Sequence, residues 1–194
     1  MGLSFHFKGK IKSIKLLKPL IAEVKDICES LGWKYQVREA KTKKQINGKW
    51  MPENLSGISV SPSECEPVSL TFLPNGKLCS FVNLLSQDAY EKKKWIYYNS
   101  TKTQFAGPDV HIAIVKLLKY LEKKYLDALD VTDEGNYWET MDEKILMKQF
   151  AEYNFYFDAV EKDLNKMPAV PGETVDSLAR RIGEMFKNLD KPEL

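Results

Sequence analysis

The sequence predicts an α+β protein: a mostly antiparallel sheet of five to seven strands, helices on one face, and a C-terminal antiparallel helical pair. Three observations carry this. Several segments in the first half alternate apolar and polar residues, as half-buried strands do. From the second strand onward the links between successive strands hold no helix, so they cannot be parallel crossovers. The last third carries two apolar stripes at three- and four-residue steps, separated by a Pro/Gly break.

In order along the chain, "LSFHFKG" points Leu3, Phe5 and Phe7 one way and Ser4, His6 and Lys8 the other. An amphipathic helix follows on Ile21, Val24, Ile27, Cys28 and Leu31, with Pro19 in its first turn and Gly32 at its end. "WKYQVRE" alternates again, with Trp33, Tyr35 and Val37 inward and Gln36 and Arg38 outward. Residues 41–56 read as a loop or a protruding hairpin. "GISVS" and "VSLTF" are short strands around "PSECEP". Asn75-Gly76 reads as a tight hairpin turn, from which "LCSFVNLL" returns. "KKWIYYNSTKTQF" reads as a long strand. A second helix, from about Pro108 to Leu126, presents Val110, Ile114, Leu117, Leu118, Leu121 and Tyr125. A third begins near Met141 with a stripe of Leu146, Phe150, Tyr153, Phe157, Val160 and Leu164. A fourth begins near Thr174 with Val175, Leu178, Ile182, Met185 and Leu189. Two such stripes joined by "MPAVPGE" should pair.

The chain has 194 residues, 43% hydrophobic, which fits one domain spanning 1–194. Net charge is only +2, but residues 1–127 hold 21 basic and 12 acidic side chains, and 128–194 hold 8 and 15. Complementary docking within the chain accounts for that split, and a basic face for an anionic partner is the alternative. Cys28, Cys65 and Cys79 form no CxxC pair and lie near no histidine, which argues against disulfides and zinc and for a reducing, cytoplasmic setting. There is no secretory leader pattern and no apolar run of membrane-spanning length. "MGLSFH" lacks the hydroxyl that a myristoylation site wants at His6.

The stretch "LDVTDEGNYWET", 129–140, gathers Asp130, Asp133, Glu134 and Glu139. It fails as a calcium loop: with Gly135 at position 6, position 12 is Met141. Thr140-Met141-Asp142-Glu143 instead matches a helix capping box. His111 opens the second helix and is the candidate general base, with Asp133, Glu134 or Glu139 as its orienting carboxylate. No GxSxG, Walker or GxGxxG motif supplies a nucleophile or a phosphate cradle. Pro108 and Asp109 also oppose an anion at that helix start.

The polar sheet face offers His6, Lys8, Arg38, Thr71, Tyr98 and Lys102 as binding candidates. Its one assured exposed aromatic, Tyr98, argues against a sheet-type RNA reader, so nucleic acid is disfavoured. Phe155 and Tyr156 fall off the third helix's stripe and are candidates for a homodimer or another protein partner. The sequence thus favours a binding or accessory protein using the sheet face or the helical pair, with no cofactor. The alternative is a hydrolase-like or metal-dependent enzyme centred on His111.

Overall fold

The structure, a computed structural model, describes residues 3–46, 49–85, 95–168 and 170–187. The first strand, β1 (Ser4–Ile11), buries Leu3, Phe5 and Phe7 as the alternation predicts. Helix α1 (Leu17–Leu31) buries Leu20, Val24 and Cys28, and ends on Gly32 in the left-handed region at φ 67°. Strands β2 (Lys34–Ile46) and β3 (Lys49–Ser61) form the hairpin anticipated within 41–56; its Asn47-Gly48 turn lies outside the described residues. Strand β4 (Val68–Phe72) pairs with β3, giving the antiparallel order β2-β3-β4.

The rest of the sheet structure departs from expectation. Asn75-Gly76 does make the tight turn, with Gly76 at φ 80° and the Asn75 carboxamide accepting from the Lys77 amide at 3.0 Å. The return is only the bridging pair Lys77 and Leu78, after which the chain forms helix α2 (Phe81–Leu85) rather than a strand. The long strand shrinks to β5 (Asn99–Lys102), preceded by a 3-10 turn at Trp95–Tyr97.

Helix α3 (Pro108–Lys124) comes next, ending short of the expected Leu126, and strand β6 (Leu126–Asp133) follows where no strand was expected. β1 lies between β5 and β6, antiparallel to both. The predicted sheet of five to seven strands is therefore two three-stranded antiparallel sheets.

The two sheets meet at a seam where laddering stops for a physical reason. Pro67, just before β4, has no N–H to give. Glu66 substitutes for a neighbouring strand: its amide donates to the Lys102 carbonyl at 3.1 Å, and its carboxylate accepts from the Lys102 amide at 2.8 Å. The Thr101 hydroxyl donates to the Pro67 carbonyl at 3.2 Å.

One core joins both sheets to α1 and α3. It holds Phe5, Phe7 and Ile11 with Ile58, Val60, Leu70, Val24, Ile114 and Leu118. The helices are tied by Glu23, which accepts from Tyr120, Tyr125 and Lys124. Hydrogen bonds from Lys124, then Tyr120 and Tyr125, hold its carboxyl down to about 2. The expected single dry side is also revised. Leu55 projects from the opposite face of β3 and is buried with Leu73, Cys79 and Ile96 in a second, smaller core. Val37, expected inward, is 46% exposed because β2 is the edge strand.

Beyond β6, a short helix α4 (Tyr137–Thr140) leads into α5 (Glu143–Lys166), and α6 (Val175–Lys187) follows the Pro/Gly break. The expected capping box does not form. Thr140 belongs to α4, where its hydroxyl donates to the Asn136 carbonyl at 2.6 Å, and Asp142 caps α5 by accepting from the Lys144 amide at 2.8 Å. The apolar stripes of α5 and α6 are not zipped together: Phe157, Leu164, Val175 and Leu178 are 45%, 40%, 82% and 42% exposed. The helices are linked instead near their junction, where Arg181 pairs with Glu173 at 2.7 Å and donates to the Pro168 carbonyl at 3.2 Å.

Candidate functional site

Two places could carry function, and the fold treats them differently. The first is His111. It sits in the first turn of α3 with no exposed surface, its ring tilted against Phe5 at 4.1 Å between ring centroids. Its Nδ1 lies 2.8 Å from the Thr103 hydroxyl, and its Nε2 lies 3.1 Å from each oxygen of Asp133. Because a carboxylate only accepts, Nε2 carries a hydrogen toward Asp133.

Asp133 is itself saturated. It also accepts from the amides of Gly135, Tyr137 and Trp138 at 2.7, 2.8 and 2.9 Å. Burial pushes its carboxyl up, but His111's hydrogen bond and charge and the amides of Trp138 and Gly135 outweigh that, leaving it below its ordinary value. A hydroxyl, an imidazole and a carboxylate in line resemble a general-base relay. Here all three groups are sealed, and they bind the β5–α3 loop, α3 and the end of β6 to the start of α4.

Glu134 and Glu139 do not join them. Glu134 turns to the opposite face of the sheet, where it accepts from the Ser4 amide at 2.8 Å and lies 3.8 Å from His6 Nε2. Glu139 is exposed on α4. No group of His, Cys, Asp and Glu suited to a metal ion occurs among the described residues. The cysteines offer no ready nucleophile. Burial and the nearby Glu66 charge push the Cys65 thiol up to about 12, and burial also raises Cys28.

The second place is the polar face at the seam. Arg38 of β2 points outward as expected. Its Nε donates to the Ser59 hydroxyl at 3.4 Å, and its guanidinium lies 4.8 Å from the Phe81 ring centre. Tyr98, just ahead of β5, is half exposed and stacks on His6 at 5.3 Å. Arg38 and Tyr98 line a common cleft of about 870 Å³, with Ser59, Ser69, Phe81 and Asn99.

Of the other binding candidates, Thr71 is fully buried under the segment after the hairpin turn, and its hydroxyl donates to the Cys79 carbonyl. It is therefore removed from any binding surface. Lys8 is paired with Asp130 at 2.8 Å and lines a second depression, of about 730 Å³, on the other side of Tyr98. Lys102 lies over the Phe105 ring at 5.3 Å, and His6 lies behind Tyr98; neither lines the larger cleft.

Sequence reading missed Phe81, taken as part of a strand, and Asn99. A signal existed for Asn99. An asparagine amid the β-branched and aromatic run "WIYYNST" is out of place in a strand unless its carboxamide has work to do. Comparison with known protein families, curated proteins and solved structures found no match. The functional reading therefore rests on this geometry.

Proposed function

We propose that the protein is a binding or accessory protein that takes its ligand on the polar sheet face, in the cleft at the seam, without covalent chemistry. One observation carries this reading: Arg38 of β2 and Tyr98, just ahead of β5 in the other sheet, line one cleft with the buried Asn99. A cleft of this volume falls within the range of small-molecule sites, which is roughly 300–1,000 Å³. The alternative of hydrolysis at His111 would need a route to a side chain with no exposed surface and no adjoining activated nucleophile.

The test is an unbiased fragment screen read by amide NMR shifts. Hits should cluster on Ser59, Ser69, Val82 and Ser100, and Ser100→Trp, which fills the cleft from an exposed position, should abolish them. Shifts that cluster elsewhere sink the reading.

A second reading concerns α5 and α6. Phe155 is 44% exposed with its ring against Tyr156, and Phe157, Leu164 and Leu178 are exposed nearby in sequence. An acidic extension with uncovered apolar residues, on a chain whose first two thirds are basic, suits self-association. Light scattering should then give a dimer mass, and Phe155→Ser should return the monomer.

A further inference from the structure

The cleft's chemistry narrows its ligand, granted the reading above that the cleft is the binding site. We infer that the site takes a small organic monocarboxylate that also carries an N–H donor and a flat ring.

The anion follows from Arg38. Arg38 is half-buried, its guanidinium lies over the Phe81 ring at 4.8 Å, and its polar contact is the long one from Nε to Ser59. No carboxylate pairs with it among the described residues. A planar fork with free N–H groups matches a carboxylate bidentately.

The charge is limited to one. Arg38 is the sole cation among the described residues lining the cleft, and Glu66 lines it too. A phosphate dianion would keep one charge uncompensated by Arg38 and facing Glu66, whereas a carboxylate is matched by Arg38.

The donor follows from Asn99. This side chain is 2% exposed and lines the cleft, yet its Oδ1 has no hydrogen-bond partner. Its orientation is fixed, since Nδ2 donates to the Phe7 carbonyl at 3.5 Å and a flipped amide would set two oxygens together. A buried acceptor left unmade is costly, and a ligand N–H placed there relieves it. The ring follows from Tyr98, which is backed by His6 on one side and stands 50% exposed in the cleft wall.

The probe is hippurate, which has a carboxylate, an amide N–H and a phenyl ring, titrated into the full chain and followed by amide NMR. Of three relatives, hippuramide and 3-benzoylpropanoate each change one feature, and phenyl phosphate changes the anion and drops the N–H. Hippuramide lacks the charge, 3-benzoylpropanoate replaces the N–H by CH₂, and phenyl phosphate carries a second charge. Hippurate should shift Ser59, Ser69 and Ser100 at millimolar concentration, and each relative should bind about tenfold more weakly. Arg38→Gln should weaken hippurate about tenfold and leave hippuramide unchanged. Asn99→Ala should bring hippurate down to the affinity of 3-benzoylpropanoate.

Equal binding of hippuramide overturns the carboxylate, equal binding of 3-benzoylpropanoate overturns the donor, and tighter binding of phenyl phosphate overturns the single charge. Silence of hippurate while screen fragments still gather on the cleft overturns the ligand class alone. Fragments that avoid the cleft overturn the site itself.

Discussion

Gly135 shows how tightly His111 is held. A Cβ there would stand 2.7 Å from Leu146 Cδ1 and 2.9 Å from two atoms of the His111 ring. The ring cannot swing away, because both of its nitrogens are engaged. Gly135→Ala should therefore destabilise the protein by about 1–3 kcal/mol in urea unfolding, the usual cost of overpacking. A change within a few tenths would mean that the imidazole is free to move.

Asp133 adds a pH dependence. Its folded carboxyl lies below the unfolded value of about 3.9. Its contribution is complete above that pH and is lost as pH falls through the folded value. Asp133→Asn should cost stability at pH 7 and progressively less below about pH 4. A parallel offset at every pH would show that the charge is not what Asp133 contributes.

Among the elements, the junction of α4 and α5 separates two explanations of one motif. The spacing of Thr140 and Glu143 suits a capping box, but Met141 takes φ 52° and resets the chain, so the helix starts after Asp142. Asp142→Ala should cost about 1 kcal/mol. Thr140→Ala should cost less, since its hydroxyl sits at the exposed end of a single turn and bonds only locally. The reverse order in thermal unfolding would restore the capping box.

A similar competition decided β6. "LDALDVTD" has acidic residues and no clean alternation, and the sequence gives no reason to expect a strand there. β1 is a hydrogen-bonded template on that side, and pairing from Phe5↔Asp133 to Ile11↔Leu126 satisfies backbone groups that local preference leaves open.

For the molecule as a whole, stability should be graded from the core outward. Leu146 and Phe150 fix the start of α5 into the core, while the described residues of α6 are exposed or half-buried. Hydrogen exchange should find the amides of α3 and β1 the slowest and those of 175–187 near the rate of an open chain. Protection of α6 equal to that of α3 would mean that its apolar residues are covered, as in the self-associated form. No helix among the described residues is long and apolar enough to cross a membrane.

The sequence by itself determined what local chemistry controls: which faces of β1 and α3 are dry, where Gly32 and Gly76 turn the chain, and the outward direction of Arg38. Periodicity and turn preference are properties of a few neighbouring residues, so a single chain displays them. Only the tertiary structure decided that there are two sheets, that Thr71 and His111 are sealed, and that Arg38, Tyr98 and Asn99 share a cleft. Those outcomes depend on which distant segments compete for the same hydrogen bonds and the same apolar cover. Residues 38 and 99 are neighbours because Pro67 ends one ladder where Glu66 begins to imitate another.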